Sequence, residues 1–236
     1  MDSFERFSPE HIGTLLVIAI AITIGLLLIR KGSDKSVQTL SRILPVLVLL
    51  GEIIQDILLI RDGGNLIEFL PLHLCNLGIF VNLAAAFSKG KIQSFFAEIS
   101  VVLIMPGTAG ALIFPDWTYR PFWSYLPLLC FFTHSLLLFI PLMFLVMKKA
   151  QVSFRHFWYS YLFLLVVTPP IYLLDKRTGV NYMFLLYPIE STPLEWIKNL
   201  FGGNYYILGL GLLVTVILAI EYSIYSSFRA IRTSSK

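Results

Sequence analysis

Long apolar runs with few or no charged residues are the feature that most constrains the fold of this chain. The first, Ile12–Ile29, is long enough as a helix to cross the hydrocarbon core of a bilayer, which is about 30 Å thick. Six more runs follow, each bounded by charge, glycine or proline: Ile43–Ile60, Phe69–Phe87, Gln93–Phe114, Pro121–Met147, Phe157–Leu174 and Tyr205–Phe228. The pattern predicts an all-α polytopic membrane helical bundle with about seven transmembrane helices, in a single membrane domain over residues 1–236.

The composition excludes a water-soluble fold. Hydrophobic residues make up 57% of the chain and charged residues 14%, whereas soluble domains carry about 25% charged residues. Acidic residues precede the first apolar run and Arg30-Lys31 follow it, which is the reverse of a secretory signal peptide. The first run is therefore predicted to remain as a membrane span.

The distribution of basic residues predicts the orientation in the membrane. Of the 18 Lys and Arg residues, 12 fall on one side of the predicted spans and 6 on the other. The positive-inside rule then places the amino terminus outside and the carboxyl terminus in the cytoplasm. Because these residues are scattered at span ends, membrane lipids are the expected partners and no nucleic acid is expected. The sequence indicates no oligomeric state.

Two acidic residues, Glu52 and Asp56, lie inside the second run. Their spacing puts both carboxylates on one face of a helix, one turn apart. Each ionised acid at the bilayer centre costs at least about 2.5 kcal/mol, so we expect the pair to face a polar cavity or the third or fifth span. The alternative is a hydrogen-bond network that only packs the helices.

A cysteine and a histidine in different spans are predicted to lie at similar depth. Cys75 is slightly outward of the centre of the third run, and His134 lies near the centre of the fifth. On a continuous helix His73 is about 200° from Cys75, which makes His73 a poor local base for that thiol. The alternatives are an inert buried cysteine and a histidine that only bonds a neighbouring helix.

Prolines and the longest connection complete the pattern. Pro106-Gly107 is predicted to interrupt the fourth run, and Thr168-Pro169-Pro170 to disrupt the end of the sixth. The connection Asp175–Asn204 has the composition of ordered turns or an interfacial helix.

No Walker motif, dinucleotide-binding glycine pattern or metal-ligand cluster occurs, so neither a cofactor nor a metal is expected. Cys75 and Cys130 both lie in apolar runs, which indicates no disulfide framework.

Several segments, in order along the chain, resemble the YwaF-type integral membrane proteins of bacteria. The resemblance covers about Phe69 to Gly203 and rests on four motifs: Leu-Pro-Leu-His-Leu-Cys ending at Cys75, Gly-Ala-Leu-Ile-Phe-Pro-Asp ending at Asp116, Thr133-His134-Ser135, and Gly-Val-Asn-Tyr-Met-Phe-Leu from Gly179. It implies a bacterial plasma membrane protein. Eukaryotic relatives of this family include a phospholipid acyltransferase thought to use a cysteine–histidine pair, in a fold similar to that of the androgen-induced lipid hydrolases.

The resemblance implies that Cys75 and His134 form the catalytic pair of a lipid acyltransferase or acyl hydrolase. Asn76 or Asn181 is then a candidate for stabilising an oxyanion. His73 is a candidate for positioning a head group, or for the base if the third helix is broken near Pro71. Tyr182, Glu52 and Asp56 complete the expected substrate-binding residues, although the family offers no role for the two acids.

Two other functions remain open. Glu52, Asp56, His73 and His134 would equally line the path of a membrane carrier or permease. A factor that assembles other membrane proteins is the third possibility. Lipid analysis of membranes with and without the protein separates the enzyme from the other two.

Overall fold

The computed structural model describes residues 4–234, with side chains described for residues 4–227. Within these residues the secondary structure is helical. The α-helices are α1 Pro9–Lys31, α2 Asp34–Arg61, α3 Leu74–Phe87, α4 Gly90–Ile99, α5 Met105–Ile113, α6 Tyr125–Val146, α7 Phe157–Thr178, α8 Pro193–Phe201 and α9 Tyr206–Ser234. A π-helical turn, Ser100–Ile104, joins α4 to α5. Short 3₁₀ turns are Leu66–Phe69, Trp117–Tyr119, Phe154–His156, Tyr182–Phe184 and Gly203–Tyr205.

The prediction of a polytopic helical membrane protein is confirmed. Six helical segments are long and apolar enough to cross a bilayer: Pro9–Lys31, Asp34–Arg61, Gly90–Tyr119, Tyr125–Val146, Phe154–Thr178 and Gly203–Ser227. A seventh apolar helix, α3, has 14 residues and rises by about 21 Å. By itself α3 is shorter than the bilayer core.

The start of α1 follows the sequence signals. Ser8 is the N-cap, and its hydroxyl accepts a hydrogen bond of 3.4 Å from the His11 backbone N–H. Pro9 occupies the first helical position, where its missing N–H costs nothing. Glu10 lies in the first turn, where the helix dipole favours a negative charge.

The third predicted span is only partly α-helical. Helix α3 begins at Leu74, so the stretch Phe69–His73 at the start of the predicted span lies outside it. Pro71 gives the physical reason, because it disfavours helical backbone at the preceding residue. Leu70 accordingly has φ −59° and ψ 138°. The 200° angle expected between His73 and Cys75 is therefore wrong, since His73 is not in the helix.

The fourth predicted span contains a widened turn before its proline. Ser100–Ile104 forms the π-helical turn, and all five of its residues are buried. Pro106 has no backbone N–H, and its ring would collide with the carbonyl of Val102 in a regular α-helix. The widened turn accommodates both effects, so the predicted interruption takes the form of a π-bulge within a continuous helical segment.

The sixth predicted span is a continuous helix where an interruption was expected. Helix α7 continues through Pro169 and Pro170 to Thr178, so the prediction that these prolines disrupt its end is wrong. Membrane helices tolerate proline where neighbouring groups satisfy the freed carbonyls. Gly179, with φ 77°, ends the helix, and its N–H bonds the Asp175 carbonyl at 2.8 Å. The following connection contains the short helix α8, whose position at the membrane interface stays a prediction.

The chain divides into two compact units. The first comprises the chain up to Pro71 together with Cys75–Gln151, and the second comprises Leu72–Leu74 and the chain from Val152 onward. In the first unit, 56% of the residues in the apolar stretch of Gly90–Tyr119 are buried and 50% in that of Tyr125–Val146, against 6% in that of Pro9–Lys31. Helices α4 to α6 therefore form the interior of this unit, and α1 leaves most of its surface for lipid.

Candidate functional site

Helix α3 packs antiparallel against the helical segment that contains the π-turn. Asn82 accepts a hydrogen bond of 2.5 Å from the Ser100 hydroxyl, and both residues are fully buried. One turn nearer the start of α3, Gly78 lies so close to Ile104 that an added Cβ would overlap its Cγ2. One further turn along, Cys75 lies beside Thr108. Residue numbers fall along α3 as they rise along its partner, so the two segments run in opposite directions.

Helices α2 and α6 form a second antiparallel pair. At one end the Tyr125 hydroxyl donates to Asp62 Oδ2 at 2.7 Å, and at the other Lys149 Nζ donates to Ser41 Oγ at 3.0 Å. Between these ends the Cys130 thiol donates to Gln55 Oε1 at 3.2 Å. At the next level Gly51 allows Thr133 to approach closely, since an added Cβ would lie 2.9 Å from Thr133 Cγ2.

Glu52 connects the two pairs of helices. Its carboxylate accepts a hydrogen bond from the Asn76 side-chain amide, so it points from α2 toward α3 as the sequence analysis expected. Asp56 lies one turn away on α2, is half-buried, and is close enough for its charge to interact with that of Glu52. Glu52 therefore faces α3, whereas the expectation that Asp56 also faces the bundle stays a prediction.

Cys75 lies in the first turn of α3 and its residue is half-buried. Backbone N–H groups in a first turn have no partner within their own helix, and the positive end of the helix dipole favours an anion there. Thr108 is fully buried, and its hydroxyl lies beside the thiol, within hydrogen-bonding reach of it. Asp116 and Glu52 lie close enough to Cys75 for their negative charges to oppose a thiolate.

His134 is held in one orientation on α6. Its Nδ1 lies 2.8 Å from the carbonyl oxygen of Cys130, one turn earlier in the helix. Because a carbonyl only accepts, Nδ1 carries the proton of a neutral ring and Nε2 carries the lone pair. The Trp117 ring packs against the imidazole with centroids 4.8 Å apart. The arrangement presents Nε2 as the basic nitrogen.

Two chains of neighbouring residues run between Cys75 and His134 within the first unit. One runs through Asn76, next to Cys75, to Glu52 on α2, beside the Gly51–Thr133 approach. The other runs through the turn after α5, where Asp116 interacts with Cys75 and the adjacent Trp117 packs on His134.

The other predicted binding residues lie in the second unit. His73 Nδ1 accepts a hydrogen bond of 3.3 Å from the Met183 backbone N–H, and its ring centroid lies 5.3 Å from that of Tyr182. Asn181 Oδ1 accepts from Leu186 N–H at 2.9 Å, which ties the loop to itself. His73, Asn181 and Tyr182 thus belong to one ordered loop cluster.

That loop has an unusual backbone. Met183 and Phe184, with φ 54° and 57°, both occupy the left-handed region, which is uncommon for residues with side chains. Asp175 is fully buried at the end of α7; its Oδ1 accepts from the Tyr182 N–H at 3.1 Å, and its Oδ2 has no hydrogen-bond partner among the described residues. Strained backbone of this kind persists where the surrounding structure holds it.

Sequence reasoning missed two residues beside the predicted pair. Trp117 lies near the end of a predicted span, where tryptophan is usually interfacial, yet it is 5% exposed and packs on His134. Thr108 carried no signal beyond its position two residues after Pro106. Among the described residues, no cluster of three or more His, Cys, Asp or Glu side chains is arranged to hold a metal ion.

Comparison with family models gives a match over most of the chain. The family model described as the TMEM164 family matches residues 6–222. No curated protein matches the chain. No solved structure matches it either.

Proposed function

The chain belongs to the TMEM164 family, and from the surroundings of Cys75, together with motifs that resemble relatives of a phospholipid acyltransferase, we propose that it is a membrane enzyme that modifies phospholipids. Cys75 is the nucleophile that takes an acyl chain, and His134 is the base. The observation that carries the proposal is the place of Cys75 in the first turn of a helix that begins inside an apolar run. There the helix dipole and unpaired N–H groups favour both a thiolate and an oxyanion.

The proposed reaction has two steps. In the first, His134 Nε2 takes the thiol proton while the sulfur of Cys75 attacks the carbonyl carbon of an acyl ester. The C–O bond breaks, the leaving alkoxide takes the proton from His134, and an acyl thioester remains on Cys75. In the second step His134 deprotonates a lysolipid hydroxyl or a water molecule, whose oxygen attacks the thioester. The C–S bond then breaks and the thiolate recovers the proton.

Neighbouring groups have proposed supporting roles. Asn76 donates one amide hydrogen to Glu52, which fixes its orientation and leaves a second amide hydrogen for the developing oxyanion. Trp117 and the Cys130 carbonyl hold the imidazole of His134. In the second unit, the loop cluster of His73, Asn181 and Tyr182 is proposed to bind a lipid head group.

The test uses the chain's other cysteine as a matched control. Purified protein is incubated with a phospholipid carrying a labelled acyl chain, with and without a lysophospholipid, and label transfer or release is measured. Cys75→Ser and His134→Ala should each lower the rate by at least about 100-fold and to a similar extent, because paired catalytic groups act as a unit. Cys130→Ser should retain activity, since serine can still donate to Gln55.

A covalent readout separates the enzyme from a carrier. The wild-type protein should accumulate label that hydroxylamine releases, and Cys75→Ser should not. Equal activity in the wild type and Cys75→Ser, together with membrane lipid profiles that do not depend on the protein, would overturn the proposal. That result would favour the carrier lined by Glu52 and Asp56.

A further inference from the structure

A strained turn at the end of α6 positions a lysine against α2. Helix α6 ends at Val146, and Lys148 adopts a left-handed backbone with φ 56°. The Lys149 N–H then bonds the Phe144 carbonyl at 2.9 Å. Helices usually use glycine or asparagine at such a turn, because a side chain makes the conformation unfavourable. The strained turn returns the chain toward α2.

Lys149 meets a buried hydroxyl and a second cation there. Its Nζ donates to Ser41 Oγ at 3.0 Å, and Ser41 is fully buried. Arg42, the next residue on α2, places its guanidinium 5.9 Å from the centroid of the Phe87 ring. Burial and the neighbouring charge of Arg42 lower the pKa of Lys149. Neither cation has an acidic partner within the part of the chain that the structure describes.

The two cations lie at the boundary between apolar and polar sequence. Arg42 directly precedes the apolar run that begins at Ile43, Phe87 is the last residue of α3, and Lys149 follows the end of α6. The start of the apolar run in α2 and the ends of α3 and α6 therefore mark one level of the first unit. In a membrane this is the level of the lipid phosphates, and the basic residues predict that it faces the cytoplasm.

We propose that Arg42 and Lys149 bind the phosphate of an anionic phospholipid in this leaflet. Two close cations without a counter-charge favour an anion, and the guanidinium and ammonium groups both donate hydrogen bonds to phosphate oxygens. The half-exposed ring of Phe87, 5.9 Å from the Arg42 guanidinium, supplies apolar surface next to the head group. This apolar surface favours a lipid over a soluble phosphate. The site involves none of the residues of the proposed reaction.

The test compares two double variants that lose the same charge. Purified protein in neutral detergent is titrated with dioleoylphosphatidylglycerol, and the dissociation constant is obtained from the rise in melting midpoint. Arg42→Gln/Lys149→Gln should weaken binding by at least about 10-fold, since each cation near a lipid surface adds to the electrostatic attraction for anionic lipid. Lys31→Gln/Lys35→Gln removes two exposed cations from the same predicted side and should change the constant by less than about twofold.

Additional ligands distinguish a lipid phosphate from a soluble phosphate, and a single variant serves if the double variant does not fold. Phosphatidylcholine and inorganic phosphate at millimolar concentration should not raise the midpoint. If inorganic phosphate binds and depends on Arg42 and Lys149, the site is one for a soluble anion and the lipid assignment is wrong. If the first double variant does not fold, Arg42→Gln alone, at an exposed position, should still weaken binding severalfold. Equal losses in both double variants would also overturn the proposal.

Discussion

At the residue scale, Cys75 depends on the proline four residues before it. Pro71 keeps the preceding chain out of helical conformation, so α3 begins at Leu74 and Cys75 lies in its first turn. In the middle of a span the same cysteine would meet neither unpaired N–H groups nor the positive end of a helix. The proposed role of Cys75 as a nucleophile therefore depends on where the helix starts.

Asp62 provides a pH-dependent prediction at the same scale. The hydrogen bond from Tyr125 holds the pKa of the Asp62 carboxyl below its ordinary value, and Arg61 and Arg120 act in the same direction. A carboxyl with a lowered folded-state pKa stabilises the fold above its unfolded-state pKa, and this contribution is lost as the pH falls through the folded-state value. Asp62→Asn should therefore melt slightly lower than the wild type at pH 7, with the difference disappearing on acidification.

Melting midpoints from pH 7 down to pH 3 test this expectation. Glu68→Gln, which removes one negative charge from the following 3₁₀ turn, is the matched control. A constant difference between Asp62→Asn and the wild type over the whole range would show that the ionised carboxylate contributes nothing.

From the sequence, the relative depth of Cys75 and His134 could be estimated by counting residues, but their local chemistry could not be predicted. Cys75 and His134 were placed at similar depth by counting residues from span centres, and the contacts of Glu52 with Asn76 and of Trp117 with His134 are compatible with that estimate. The protonated nitrogen of His134 follows from a backbone carbonyl one turn away, which no residue type encodes. The buried position of Trp117 depends on tertiary packing, and span-end tryptophans are usually interfacial.

At the element scale, the close approach of α3 to the π-turn depends on a glycine. An added Cβ at Gly78 would overlap Ile104 Cγ2, and Ile104 is 1% exposed. Membrane helices approach closely where small residues face each other. The same face of α3 carries Cys75 and Asn82, so the approach also sets the surroundings of the thiol.

Gly78→Ala should destabilise the protein by about 1–3 kcal/mol through overpacking. Gly110→Ala, in α5 with open space around it, should be neutral or stabilising by up to about 1 kcal/mol because alanine favours helix. Ile104→Ala alone leaves a cavity, yet the Gly78→Ala/Ile104→Ala protein should lose less stability than the sum of the two changes. Unfolding in mixed micelles measures all four proteins, and strict additivity would contradict the packing assignment.

Helix ends were more predictable than helix interiors. The Ser8-Pro9-Glu10 start of α1 and the helix within the long connection follow from local chemistry, and both occur. Prolines were less informative, because neighbouring elements decide whether a proline starts, widens or leaves unchanged a helix. Pro71 precedes a helix start, Pro106 accompanies a π-turn, and Pro169-Pro170 lie within an unbroken α7.

At the scale of the whole molecule, hydropathy identified the spans without identifying which of them are buried. Lipid-facing and protein-facing surfaces of a membrane helix are both apolar, so periodicity distinguishes them poorly. Accordingly Pro9–Lys31 has the highest mean hydropathy of the six long segments, 2.9, and is the least buried. Gly90–Tyr119, with a mean hydropathy of 1.8, is the most buried.

Whether α3 crosses the bilayer decides the membrane orientation of the helices that follow it and the side on which the carboxyl terminus lies. The 14 residues of α3 rise by about 21 Å, and the four residues Leu70–His73 before them add at most about 13 Å. Together they reach about 34 Å, enough for a core of about 30 Å. With the six long segments, a crossing by α3 gives seven and places the termini on opposite sides. We therefore expect Arg61 outside and Lys91 in the cytoplasm, as the 12-to-6 distribution of basic residues also predicts.

Labelling with a membrane-impermeant thiol reagent in intact cells tests this topology. In a background of Cys75→Ser and Cys130→Ser, Arg61→Cys should react and Lys91→Cys should react only after permeabilisation; both positions are exposed. A tag at the carboxyl terminus should behave like Lys91→Cys. If both cysteines react in intact cells, α3 enters and leaves on one side, the termini share a side, and Cys75 lies in a re-entrant helix.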